Sequence, residues 1–272
     1  YEMLRSLVGS EMCIRDRCNF NCSFCYREGG EETMDEKLFL GLPKYLSRIT
    51  DQVALGGGEP TLFPELVSKF AEECKKYGLI CNVTTNGYAI RKWSDEKVKR
   101  FSENLTMVSV SLDREKIRQW SLEEYLKVVK KLQKHTLVGC NLLIDEEMFK
   151  NADFIRIVSS LFHEGLDRVF ALYPKNAYSV DILPYKNYYL YLSTVYPKFY
   201  VDDLTYKILD EGKYSNWKKP CHYGKDIISI NEKGEVTGCS FSNSHKLILK
   251  KPEDILKDIV FEDRFNCPYL AR

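Results

Sequence analysis

A surplus of charge of one sign is missing from this sequence: 40 Lys and Arg face 39 Asp and Glu, for a formal net charge of +1. That balance excludes a dedicated nucleic-acid binder, which would show a basic excess to meet phosphates. Long apolar runs are missing as well. No stretch approaches the ~18 consecutive apolar residues of a membrane helix. No apolar segment followed by a small-residue cleavage site marks the N-terminus as a secretory signal. The sequence therefore predicts a chain without a membrane contact, placed in the cytoplasm, where thiols stay reduced. Histidine is scarce: His135, His163, His222 and His245 are scattered and read as surface or packing residues.

What is present is apolar bulk and cysteine. Hydrophobic residues make up 44% of the 272 positions and charged ones 29%, which excludes a disordered or collagen-like chain. The length suits one large α/β domain, or a domain with a small appendage. Ten cysteines are the outlier, and in a reducing compartment clustered cysteines point to metal or redox chemistry rather than bridges. A chain that opens on Tyr1 reads as a fragment or a trimmed product. Ser6 to Arg17 is similar to a translated sequencing adapter, so residues 1–16 are set aside as a non-native segment and Cys13 is given no function.

From Thr33 onward helical and strand patterns alternate. A helical stripe over Asp35 to Ile49 precedes a strand at Gln52–Leu55 that ends in Gly56-Gly57-Gly58. A helix over Pro64–Lys76, a strand over Leu79–Thr85, a helix over Ser94–Phe101 and a strand over Met107–Leu112 follow. Ser121 opens another helix, with Glu124 at capping-box spacing, and strands over Leu137–Ile144 and Arg168–Leu172 flank a helix over Asp153–Phe162. Alternation of this kind predicts a parallel sheet covered by helices, with a first strand before Cys18. Beyond Pro174 the pattern changes: the segment 173–214 holds more than half of the 18 tyrosines. It reads as packing between modules or as the wall of a substrate channel. A hairpin over Ile227–Ile230 and Glu235–Gly238 and a helix-like tail over Pro252–Ile259 close the chain. The boundaries are a main domain at 17–184, a tyrosine-rich bridge at 185–214 and a small module at 215–272.

The strongest chemical signal is Cys18-Asn19-Phe20-Asn21-Cys22-Ser23-Phe24-Cys25. Three thiolates on one short loop can hold three corners of a cubic iron–sulfur cluster and leave the fourth iron open to a small molecule. A zinc knuckle is the competing reading, but structural zinc wants four closed ligands and no fourth lies nearby. Cys74, Cys81 and Cys140 fall in a helix and two strands and read as buried apolar residues.

The cysteine spacing resembles that of the radical S-adenosylmethionine (SAM) superfamily, as do Gly57-Gly58-Glu59-Pro60, Thr84-Thr85-Asn86-Gly87 and Ser109-Val110-Ser111-Leu112-Asp113, each where that family carries a motif. The resemblance covers most of residues 17–174. It implies a partial (βα)6 barrel of TIM type, with a 4Fe-4S cluster on Cys18, Cys22 and Cys25 at the C-terminal mouth. It further implies that SAM chelates the open iron and that a low-potential donor of flavodoxin or ferredoxin type supplies an electron. The products of SAM cleavage then abstract hydrogen from a substrate. Gly57 and Gly58 would let backbone approach the cofactor, and Glu59 would meet its ammonium. Phe24 would give a backbone contact to adenine or else pack in the core. Ser111 would bond the ribose or carboxylate or else satisfy itself within the strand. Leu172 would offer backbone to adenine, and Asp113 could equally cap the next loop.

Cys221, Gly234 and Cys239, spaced Cys-x12-Gly-x4-Cys, resemble the opening of the SPASM/twitch extension, with Cys267 as a third ligand for an auxiliary 4Fe-4S cluster. That extension's later cysteine run is absent, which means either a truncated gene or a reduced module. Three functions stay open: a radical enzyme on a peptide or protein, the same chemistry on a nucleotide, carbohydrate or other small molecule, and a non-catalytic metal-binding scaffold.

Overall fold

Strands whose apolar residues alternate with small polar ones can bury one face under helices and turn the other inward, and that pattern builds this molecule. The computed structural model describes residues 10–13, 15–25, 32–174, 180–212, 227–240 and 247–257. β1 (Ser10–Cys13), β2 (Gln52–Gly56), β3 (Ile80–Thr85), β4 (Met107–Leu112), β5 (Leu137–Leu143), β6 (Arg168–Leu172) and β7 (Phe199–Val201) lie side by side, parallel and in chain order. At the other edge β8 (Ile228–Ile230) pairs parallel to β1, and β9 (Glu235–Thr237) and β10 (Leu247–Ile248) continue antiparallel. Among the described residues the sheet does not close: β10 and β7 are its two free edges. The fold is thus an unclosed, mostly parallel α/β sheet of the partial-barrel type.

The helices cover the outer face: α1 (Glu36–Gly41), α2 (Pro43–Leu46), α3 (Pro64–Lys76), α4 (Asp95–Ser102), α5 (Arg114–Gln119), α6 (Leu122–Gln133), α7 (Glu146–Phe149), α8 (Asp153–His163), α9 (Lys186–Val195) and α10 (Asp203–Glu211). Aspartate and serine open most of them. Asp35, Ser94, Asp113, Ser121, Asp145 and Asp202 each accept a hydrogen bond from the backbone N–H three residues on, which satisfies a donor that the first turn leaves orphaned. No helix among the described residues is long and apolar enough to cross a membrane.

The core lies between sheet and helices. Val108, Val110, Val138, Cys140 and Leu142 point outward from their strands and are fully buried, as are Cys74 and Cys81. Phe39 and Phe70 stack at 4.2 Å under α1 and α3. Two tyrosines of the tyrosine-rich stretch pack against the core: Tyr185 stacks on Phe149 at 4.3 Å and Tyr189 tilts against Phe154 at 5.1 Å.

Some of these expectations need correction and others hold. The helical stripe over 35–49 is two helices, because Pro43 has no N–H to continue the first and Gly41 is pressed by Pro252, leaving no room for a Cβ. The first strand does lie before Cys18, as expected, at Ser10–Cys13 within the segment set aside as adapter-like, with Met12 only 2% exposed. The expected C-terminal hairpin is present as β8 and β9, and it pairs with β1 at the edge of the main sheet. The tail over Pro252–Leu256 is a short 3-10 turn, and its continuation to Ile259 lies outside the described residues.

Phe70 fills the seam between sheet and helices. Phe70→Ala is expected to cost about 3–5 kcal/mol, read as a fall in the denaturant midpoint at an unchanged slope.

Candidate active site

In a parallel sheet every strand ends on the same rim, so loops after successive strands converge there. After β1 the chain runs into the cysteine loop, and after β2 into the turn Gly57-Gly58-Glu59. These two segments are tied together: Gly58 N donates to Arg15 O at 2.9 Å and Glu59 N to Arg17 O at 2.9 Å. The glycines are required by space. Gly57 has φ +117°, and a Cβ there would stand 2.7 Å from Cys13 Sγ; one on Gly58 would overlap the carbonyls of Asp16 and Arg17.

Glu59 is 2% exposed and caps the following turn. Its Oε1 accepts from Thr61 N at 3.0 Å, from Thr61 Oγ1 and from Thr85 Oγ1, and its Oε2 accepts from Asn86 N at 2.7 Å. Burial pushes its carboxyl above the usual range, against the downward pull of these bonds. With a single described donor, Oε2 keeps a lone pair. Asn86 extends the chain of contacts, since its Nδ2 donates to Asn19 Oδ1 at 2.8 Å and lies 3.9 Å from Cys18 Sγ. The turn after β3, the turn after β2 and the cysteine loop therefore share one network.

Within the loop, Phe20 N donates to Cys18 Sγ at 3.4 Å and Cys25 N to Cys22 O at 3.0 Å. Burial raises the Cys18 thiol and pushes Cys22 up to about 11; the Lys116 ammonium pulls both down, and Cys25 acts on both. Thiols so poised ionise when a metal displaces their protons. A single zinc ion would draw its thiolates to about 3.8 Å of one another, from Zn–S bonds of about 2.3 Å. Among the described residues only Cys13, Asp16 and Glu232 bring three such ligand atoms within 4.8 Å of one another, so Cys18, Cys22 and Cys25 are spread wider. Donor type and glycine cradle thus both fit an iron–sulfur cube.

The inner face of the sheet opens beneath this rim. Gly139 brings β5 close to Ser109 Oγ, Met107 Sδ and the Phe170 ring, which puts Ser111, two residues beyond Ser109, on the same face. Asn141 Nδ2 donates to Thr84 Oγ1 at 3.2 Å across it. Leu172 lies at the end of β6, where its carbonyl already accepts from Ile144 N at 3.1 Å. Phe24 is half-buried, with Lys116 Nζ 5.4 Å from its ring.

Asp113 caps α5 and forms a buried ion pair with Lys116. Lys116, Glu115 and Asn19 went unnoticed in the sequence, although the Asp-x2-Lys spacing after β4 was its visible trace. A cleft of about 310 Å³ lies here, lined by Ser23, Phe24, Asp113, Arg114, Glu115 and Arg118 among others. The larger groove, about 510 Å³ between α6 and α8, is on the outer layer and holds no cysteine. Of the C-terminal cysteines Cys239 is half-buried after β9, while Cys221 and Cys267 lie outside the described residues, as do His222 and His245. Glu59→Gln puts an amide where four donors converge. It is expected to cost about 1–3 kcal/mol, read as a lower melting temperature in the iron-free chain.

The sequence profile of the radical SAM superfamily matches residues 12–145. A probable GTP 3',8-cyclase of Pyrococcus abyssi is 28% identical over 137 residues, 48% of this chain and 44% of that protein. A GTP 3',8-cyclase of Photorhabdus laumondii is 28% identical over 180 residues, 59% of this chain and 52% of that protein. The chain thus spans about half the length of the curated relatives it matches. Among solved structures, Streptococcus suis SuiB superposes with a TM-score of 0.64 at 16% identity, over 85% of this chain and 60% of that one, which bears on the fold alone. Profile, ordered motifs and the cysteine-bearing rim agree: through residues 12–145 the chain belongs to the radical SAM superfamily.

Proposed function

We propose that the chain is a radical SAM enzyme in which Cys18, Cys22 and Cys25 hold a 4Fe-4S cluster. The observation that carries this reading is the hydrogen-bonded join between the cysteine loop and the Gly57-Gly58-Glu59 turn. When bound, the cluster supplies one low-potential electron for cleavage of the SAM sulfonium, which leads to hydrogen abstraction from a substrate. The chain's own residues bind and orient. The three thiolates anchor the cluster, Gly57 and Gly58 keep the approach clear of side chains, and the spare lone pair of Glu59 Oε2 accepts from the SAM ammonium. Ser111 offers its hydroxyl to the ribose or carboxylate. Phe24 and Leu172 contribute backbone near adenine, Leu172 through whatever its engaged carbonyl leaves available. A flavodoxin- or ferredoxin-type protein is the electron donor.

For the substrate, the curated relatives favour a nucleotide. The peptide reading rests on the C-terminal cysteines, of which Cys239 alone is described. An auxiliary cluster on Cys221, Cys239 and Cys267 is part of that second reading.

Anaerobic reconstitution with iron and sulfide is expected to give a visible charge-transfer band and SAM-dependent release of 5'-deoxyadenosine; zinc in place of iron would favour a scaffold. Cys22→Ala is expected to abolish both signals. Turnover of GTP against a peptide panel separates the substrate readings. Cys239→Ala is expected to lower iron per chain while sparing part of the SAM cleavage, and an unchanged iron content would remove the auxiliary cluster.

A further inference from the structure

The segment between the second and third cysteines is two residues long, and both are gripped by one short helix. Ser23 N donates to Glu115 Oε2 at 3.2 Å, and Ser23 Oγ donates to Glu115 Oε1, so one carboxylate takes both donors of the residue that follows Cys22. The next residue, Phe24, has Lys116 Nζ 5.4 Å from its ring centroid. Glu115 and Lys116 are neighbours on α5, and α5 is itself fixed to the end of β4. Asp113 caps it through Lys116 N at 2.9 Å, and the Asp113–Lys116 ion pair is buried, with side chains 5% and 6% exposed. On the far side Arg114 Nε pairs with Asp145 at 3.1 Å, at the start of α7.

A cysteine loop has little structure of its own. Among the described residues, the backbone–backbone bond within Cys18 to Cys25 is the single turn from Cys25 N to Cys22 O at 3.0 Å. A loop that must present three sulfurs at fixed positions binds better if its shape is set beforehand, because the ordering cost is then met by folding and not by the metal. A carboxylate that accepts two bonds and a cation over a ring are the strong forms of such contacts.

From this geometry we propose that Glu115 and Lys116 are positioning residues: α5 clamps Ser23 and Phe24, and so presets Cys22 and Cys25 for the cluster. The proposal rests on the cluster reading above and reaches residues outside the cysteine, glycine-rich and SAM-facing motifs. Glu115 and Lys116 touch neither metal nor substrate in it; they act through the loop.

Two readouts on the 272-residue chain test it. In the iron-free protein, amide hydrogen exchange of peptides spanning Cys22 to Cys25 is expected to quicken about tenfold in Glu115→Ala, the scale of one charge-assisted hydrogen bond, and less in Glu115→Gln. In the reconstituted protein, iron release to a chelator is expected to quicken in the same order. Lys116→Met alone would strand Asp113 as a buried charge. The neutral pair Asp113→Asn/Lys116→Met keeps a capping side chain and is expected to act in the same direction. Exchange unchanged in Glu115→Ala overturns the clamp. Faster exchange with unchanged iron release overturns its role in holding the cluster. A wild-type chain that takes up no iron refutes the cluster reading, while exchange still decides whether α5 holds the loop.

Discussion

The site depends on one buried carboxylate. Glu59 sits where the turn after β2, the end of β3 and the backbone before Cys18 meet, and its oxygens collect donors from Thr61, Thr85 and Asn86. A carboxylate in so dry a place is costly without hydrogen-bond donors, and here two of its four come from Thr85 and Asn86, 26 and 27 residues away. The arrangement thereby fixes those elements relative to one another. Asn86 passes the constraint to Asn19 in the cysteine loop, and the backbone of Arg15 and Arg17 receives it from Gly58 and Glu59. The same group that is suited to a ligand's ammonium is therefore also the fastener of the rim.

The two faces of the sheet divide the labour. Outward residues such as Val110, Cys140 and Val169 are fully buried under helices and carry the stability. Inward positions hold Thr84, Ser109, Asn141 and a glycine, small and polar groups that hydrogen-bond across the face. Rim loops on a rigid parallel sheet are where such folds place their chemistry. The β8–β9 hairpin widens the sheet beside β1, so the C-terminal cysteine Cys239 follows directly from a strand of the same sheet.

Much of this was legible. The strands at Met107–Leu112 and Arg168–Leu172 and the helix at Pro64–Lys76 end where periodicity ends, because apolar spacing, Pro64 at the helix start and Gly78 after its end act locally. Harder to read were the short parts. β1 and β7 are four and three residues long, too brief for a period to register, and they hold their places by pairing with longer neighbours. Asp35 to Ile49 read as a single helix because the apolar stripe continues through Pro43, whose missing N–H nevertheless ends one helix and starts the next.

By itself the sequence determined the chemistry available: three thiols at close spacing, a glycine pair before a carboxylate, and strands enough to gather them on one edge. Residue type and local spacing suffice for that, since both are properties of the chain before it folds. Only the tertiary structure decided how those groups are held. The match of Glu59 to donors 26 and 27 residues away, the buried Asp113–Lys116 pair and the hold of Glu115 on Ser23, 92 residues apart, all depend on which strand ends become neighbours. That is a consequence of sheet order and packing, which no local pattern encodes.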